Sequence, residues 1–504
     1  MPHSRAEALG RICFLAYGLL FGALLFGVLF FNTAFDYRPA LILALMAAWG
    51  GVLFAALLLW RRHRDWLLRR RRRILLLLLA GIFAVQLAVS LSTVPNPMYD
   101  HGKVFHGAVA FATEGDGAAF ALYDGYLHRY PNNMGLFLLL QLLFRALDAV
   151  GLDCFYLAAC VVGQLLFALM LAAGFCYLDE TAGGDCALFF LLLAALFPPI
   201  YFQASVSYTD TYSVWAAPCV LLCTERAVRA ESAKRRLALA ALAGACLGVG
   251  GKIKVTVLIV GIALAIWLLA ALPLRRALAG LAAAGAVFAV VWAGFGLWGR
   301  ALVLDDPARD GEALPATHWI MMGMQGDGSY NSYDEWFITT TAPYDERVET
   351  NLRVIRERLE EMGPAGYLRL LWRKSCRTFG SGTADMSYSY QYQDNSPPAG
   401  WVYELVLENG RFYTLYNNLS QSAYLTLTAL GVAGAFLTLR RRGEGAARFA
   451  PPLALCGFWL FMMLWESNHR QLVNQWSLWL ILAAEGLFLL AQCRRPIDKP
   501  AGER

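Results

Sequence analysis

The densest run of chemically capable residues is Tyr99–Gly135, YDHGKVFHGAVAFATEGDGAAFALYDGYLHRYPNNMG. It holds an early acid (Asp100), three imidazoles (His101, His106, His128), bases (Lys103, Arg129) and the turn-forming run Tyr130, Pro131, Asn132, Asn133. A carboxylate can take a proton from an attacking hydroxyl, and fixed cations stabilise an anion as its charge develops. Ionisable groups at a membrane boundary are costly, so they mark a functional site by default. Four later polar interruptions carry similar residues. They are SVSYTDTY (Ser205–Tyr212) with Asp210, GGKIKVT (Gly250–Thr256) with Lys252 and Lys254, THWIMMGMQGDGSYNSYDEW (Thr317–Trp336) with His318, and ESNHRQ (Glu466–Gln471) with His469 and Arg470.

What must position them is a membrane bundle. The 504 residues are 58% hydrophobic and 16% charged, against about half apolar and about a quarter charged in soluble domains. The net charge of +6 comes from Arg clusters at the ends of apolar runs, which topology explains; it gives no nucleic-acid reading. The eleven cysteines lie mostly inside apolar runs without CxxC or zinc-type spacing, so they read as small buried hydrophobes.

Spanning helices need roughly 20 apolar residues. Ile12–Phe31, Leu41–Trp60 and Ile74–Ser92 meet that length, and RRHRDWLLRRRRR (Arg61–Arg73) between the last two marks a cytoplasmic turn. The N-terminal run lacks a small-residue cleavage site, so it is expected to be a retained helix. Lys103–Ala121 reads as an interfacial helix, and Pro131 biases Tyr130 away from helix. Four apolar segments follow: Met134–Val150, Cys154–Tyr177, Cys186–Gln203 and Thr211–Thr224. They connect an outer loop to the cytoplasmic run Glu225–Arg236, so parity requires that one of them fail to cross. The segment broken at Pro198 and Pro199 is the expected exception. Leu237–Val249 and Val257–Leu272 read as a hairpin with its tip outward, followed by Ala277–Leu297. Residues 298–415 form an outer segment with helices expected over Tyr344–Met362 and Gly363–Phe379, both lying on the membrane surface. Leu425–Leu439, Pro452–Trp465 and Leu472–Gln492 complete the bundle, with Arg440–Arg442 and Arg494–Arg495 as cytoplasmic markers.

The expected fold is an all-α polytopic membrane protein of about twelve transmembrane helices with a small extracytoplasmic cap. Its modules are 1–297, containing the first outer loop (93–135), then 298–415 and 416–504. Both termini are cytoplasmic in this reading. The outer face then collects Asp100, His101, Lys103, Arg129, Asp210, Lys252, Lys254, His318, His469 and Arg470, a set suited to chemistry on a lipid-linked phosphate. Each has a plainer alternative. Asp100 or Asp210 would cap a helix, Arg129 would snorkel from a helix end, the two lysines would anchor at the interface, and His318 would pack beside Trp319. Arg470 runs against the usual charge bias, being basic between two spans on the outer side.

An early loop Asp, then YLHRYPNNMGLFLLLQLLFRALDAVGLD, SVSYTDTYSV and THWIMMGMQGDGSYN, resemble the integral-membrane GT-C glycosyltransferases, in particular the bacterial protein mannosyltransferase and RgtA/B/C/D-like group. The resemblance implies a polyprenyl-phosphate sugar as donor, reaction at the outer face of the cell membrane, and Asp100 and Asp210 as the two acids. Many relatives carry Asp-Glu in the first loop, whereas here His101 follows Asp100, so no divalent metal is assumed and no cofactor is expected beyond the donor substrate. The expected function is sugar transfer to an extracytoplasmic acceptor of the cell envelope, with inversion. Asp100 would be the base, and Arg129, Lys252, Lys254 and Arg470 would hold the phosphate. Tyr130, Asn132, Asn133, His101, Lys103, His318 and His469 are further candidate residues. Competing readings are an O-antigen-type polymerase or ligase and a lipid-linked-glycan transporter or flippase. Expected partners are the lipid-linked donor, membrane lipids and the acceptor.

Overall fold

The computed structural model describes residues 2–93, 97–115, 125–304, 311–384, 386–390, 400–441 and 444–493. Parts of the first outer loop (94–96 and 116–124) and the basic markers Arg442, Arg494 and Arg495 lie outside them. Among the described residues there are helices and no strands, as long apolar runs in lipid require, because a helix satisfies every backbone hydrogen bond within its own segment.

Helix α1 is Pro2–Phe31, and α2 is Pro39–Leu91, 53 residues long. A straight helix of that length would measure about 80 Å, more than twice a bilayer's hydrocarbon core. It bends instead at His63, whose backbone leaves the helical region. Contacts along the two arms run in opposite directions. Trp49 reaches Ser422, and Trp60 and Arg64 meet at Asp185. Arg71 then pairs with Asp179, and Gln86 reaches the Ile200 carbonyl. The Arg run is therefore helical, with its turn narrowed to one residue.

Counting the arms of α2 separately, twelve described segments run from one end of the bundle to the other: 2–31, 39–62, 64–91, 155–181, 184–203, 216–229, 233–253, 258–271, 274–299, 413–440, 450–464 and 476–493. Among the described residues, seven helices, with α2 counted once, are long and apolar enough to cross a membrane, and Gly184–Ala195, Val255–Ala271 and Ala450–Leu464 are shorter apolar helices. One end of the bundle carries Arg64, Arg71, Arg226 and Arg448; the other carries Asp100, Asp210, Lys254 and Arg470.

The parity exception differs from the sequence expectation. Residues 184–203 run from Asp185, at the arginine end, to Ile200 and Gln203 beside Gln86 and Thr211 at the other. The segment that does not traverse is α4, Met134–Asp148 (α3 being Tyr99–Thr113). It begins where Gly135 lies so close to the Lys252 carbonyl that a Cβ would collide with it. It ends with Phe144 against Phe155, still at the Asp100 end. Antiparallel α3 covers it through Phe105–Phe144 and Phe111–Phe137. Composition hid this, because a pair of helices packed across one end is as apolar as a span.

The long helix α5, Arg347–Phe379, is broken at Gly363 (φ 57°) before Pro364. Glycine takes that positive φ without a Cβ penalty, and proline starts the next helix with no N–H to lose. The second half does not lie on a surface. It descends into the bundle until Phe379 packs among Phe21, Phe458 and Trp479, ten residues, or about 15 Å, below the end of α1. The segment 298–415 is thus stapled into the helices on either side of it.

Candidate active site

Asp100 stands in the first turn of α3, where a carboxylate is favoured by the helix dipole. One oxygen accepts the Tyr126 hydroxyl at 2.9 Å; the other accepts Arg470 Nη2 at 3.3 Å. The second Arg470 amine reaches His101 Nε2 at 3.2 Å, and the guanidinium lies 4.9 Å above the Tyr208 ring. His101 packs on the same ring at 4.4 Å. Arg470 is held in place by its own turn, since the Asn468 side chain accepts the Arg470 backbone N–H at 3.1 Å. Its Nε is buried and has no hydrogen-bond partner among the described residues. A buried donor left in this state marks a place where another acceptor belongs.

Below this pair, Lys254 Nζ lies 2.8 Å from Asp210 Oδ1, with side chains 12% and 2% exposed. Lys254 is where Ala233–Ile253 ends, so its backbone leaves the helix and turns the ammonium toward the Thr209–Tyr212 turn. Burial pushes the Lys254 ammonium down and Asp210 opposes the shift. Glu466 completes the group. Burial drives its carboxyl up to about 7, Arg470 opposes this and Asp100 adds to it. The Asp100 carboxylate, 42% exposed, is the open member of the set.

Residues 34–487 match a family model described as "Conserved hypothetical integral membrane protein". The chain belongs to that family. No curated protein matches it. Among solved structures, ArnT from Cupriavidus metallidurans bound to undecaprenyl phosphate is similar with a TM-score of 0.37 and 13% identity, over 82% of this chain and 77% of that one. The archaeal oligosaccharyltransferase AglB from Archaeoglobus fulgidus, in complex with an inhibitory peptide and a dolichol-phosphate, gives 0.43 and 14%, over 82% of this chain and 50% of that one. The chain thus spans half the length of AglB.

Within this integral membrane protein, the candidates read from sequence divide into two groups. Asp100, His101, Asn133, Asp210, Lys254 and Arg470 are brought together. Tyr130 sits at the rim, its ring 4.9 Å from Tyr126 and 5.8 Å from Trp319. Arg129 turns to the cap and pairs with Glu335 at 3.7 Å. Lys252 points the other way from Lys254, its ammonium 4.1 Å above the Trp292 ring of the helix Leu274–Gly299. His318 is fully buried in the cap beside Trp319, and neither ring nitrogen has a partner among the described residues. Burial lowers its imidazole to about 4, so it is a neutral packing residue at ordinary pH. His469 is buried edge-on against Phe35. Lys103 and Asn132 are exposed.

Sequence reasoning passed over Tyr126, Tyr208 and Glu466, although all three lie within or beside the motifs it quoted. The available signal was the aromatic and acidic company of each candidate, since a buried phenol needs a partner for its hydroxyl. It also passed over Lys374, whose ammonium is fully buried and donates to the carbonyls of Gly323 (2.9 Å) and Trp465 (2.8 Å). This lysine ties the cap to the turn bearing Glu466 and Arg470. Among the described residues, no three His, Cys, Asp or Glu side chains gather as metal ligands.

Proposed function

We infer that the chain is a membrane glycosyltransferase of GT-C type that moves a sugar from a polyprenyl-phosphate donor to an acceptor hydroxyl, with the site on the outer face. The observation carrying this is one pair: the half-open carboxylate of Asp100, oriented by Tyr126, lies within hydrogen-bond distance of the buried guanidinium of Arg470. A base and an anion holder are thereby fixed side by side. The acceptor hydroxyl gives its proton to Asp100 as it attacks the anomeric carbon, and the bond to the phosphate oxygen breaks. Arg470, with its uncommitted Nε, and Lys254 then meet the developing phosphate charge. Asp210 is buried and acts through Lys254, holding its ammonium toward the site. Direct attack inverts the anomeric centre. The exposed arginines around the His63 bend lie at the opposite end, and positively charged ends face the cytoplasm, which supports the outer placement.

Synthetic polyprenyl-phosphate sugars in liposomes containing the protein test the proposal. Release of polyprenyl phosphate, lost in a folded Asp100→Asn variant, supports it. Equal turnover in both proteins removes Asp100 from the chemistry and favours a polymerase-like reading built on Arg and His.

A further inference from the structure

Asp100 is held by a chain of hydrogen bonds whose direction is fixed by the chemistry of its members. An ionised carboxylate only accepts, so at 2.9 Å from Asp100 Oδ1 the single Tyr126 hydroxyl proton must be donated to it. The phenol oxygen is then an acceptor, and it receives Asn133 Nδ2–H at 2.7 Å. That orients the amide with its carbonyl outward, where it accepts the Tyr208 hydroxyl at 3.2 Å. Asn133 is buried, 3% exposed, and Tyr208 is 3% exposed, so water does not compete for these bonds. The Tyr208 ring in turn supports both the Arg470 guanidinium and His101. Burial, aided by neighbouring Tyr208 and Asp100, keeps the Tyr126 phenol protonated.

We propose that Tyr126 is a positioning residue that fixes the direction of the Asp100 carboxylate, with Asn133 and Tyr208 fixing the direction in which the phenol points. This rests on the reading of Asp100 as the base. Its reach is wider than orientation alone, because the same three side chains place the base and the anion-holding Arg470 on one rigid support. A phenol turned the other way would set a lone pair against the carboxylate and release it from that position. Among the described residues, the charged and titratable groups around Asp100 are Tyr126 and Tyr130, Tyr208, Tyr330 of the cap, Glu466 and Arg470, and His101, which shares the Arg470 guanidinium with it. Every variant below leaves both Glu466 and Arg470 in place.

The test reads Asp100 without requiring turnover. A water-soluble carbodiimide with an amine nucleophile modifies accessible carboxyls, and mass spectrometry of the Asp100 peptide gives the labelling rate in detergent at pH 6. Tyr126→Phe is expected to raise that rate roughly ten-fold or more, the size of one lost hydrogen bond to a charged group. Asn133→Leu keeps the shape and frees the phenol to turn, and it is expected to give a smaller rise in the same direction. It also serves if Tyr126→Phe does not fold. In the transfer assay Tyr126→Phe lowers kcat and leaves KM nearly unchanged. Unchanged labelling in both folded variants overturns the proposal, whatever the transfer assay shows. A labelling rise with no transfer from any donor keeps the relay and removes the glycosyltransferase reading.

Discussion

The two ends of the bundle use the same residue types in opposite ways. At the arginine end Asp185 and Glu225 are sunk and the arginines they pair with are open. Asp185 is 8% exposed against 40% for Arg64, and Glu225 is 9% against 43% for Arg229. Pairing there is multiple, with Arg64 placing two nitrogens on one Asp185 oxygen while Trp60 takes the other. At the other end the cations are sunk and the decisive acid is open: Arg470 is 15% exposed against 42% for Asp100, joined by a single 3.3 Å contact. A fully satisfied pair on exposed arginine stems fixes helices in register and has nothing left to offer a ligand. A buried cation with one uncommitted N–H, beside a carboxylate that solvent reaches, is arranged to accept something new.

Mutations at matched positions separate anchoring from chemistry. Asp100→Asn is expected to lower transfer by about 10²- to 10⁴-fold, the usual worth of a general base, with little change in thermal unfolding. Its counterpart, Asp185→Asn, should do the reverse: turnover persists while stability falls by roughly 1–2 kcal/mol, the scale of a lost charge-assisted hydrogen bond. If both variants lose activity equally, the distinction between the ends collapses.

Arg470→Lys comes next. A lysine keeps the charge and loses the fork that spans Asp100 and His101, so kcat/KM should drop on the order of 10-fold or more in steady-state assays. Lys252→Met is expected to cost less than about 2-fold, because that ammonium rests on Trp292 and its loss removes one cation–π contact. An effect as large as that of Arg470→Lys would return Lys252 to the phosphate site.

The last test is a pH dependence of stability. The Glu466 carboxyl is raised by burial from 4.5 to about 7, so folding favours its protonated form. Its contribution to stability is therefore complete below about pH 4.5 and is lost as pH rises through about 7. Glu466→Gln should flatten this part of the thermal-stability profile between those limits, and an unchanged profile would show that Glu466 does not titrate there.

Much of the architecture was legible because lipid imposes a simple code. Apolar length marks the spans, GGKIKVT marks a hairpin tip with Lys254 at the site, and Gly363–Pro364 marks a helix break. The rest depends on information that apolar composition does not carry. Nothing in Met134–Val150 distinguishes a helix crossing the bilayer from one paired with α3 across the end of the bundle. Gly363–Phe379 has the polar residues of a surface helix, yet it buries Lys374 on two carbonyls and Phe379 on three aromatic rings. Asp100 and Asp210 were visible as acids near a boundary. Lys252 and Lys254, two residues apart, looked equivalent, and only the end of the helix between them sends one to the site and the other to Trp292. The pairing of Asp100 with Arg470 is invisible locally, for 370 residues separate them.

That separation also sets a clock. At roughly 5–20 residues per second, a ribosome needs about 20–70 s after making Asp100 to reach Arg470. In that interval the nascent chain holds most of its helices and no complete site. On the proposed function, transfer would begin only once the final hairpin inserts, and a chain interrupted before Arg470 would lack the anion holder.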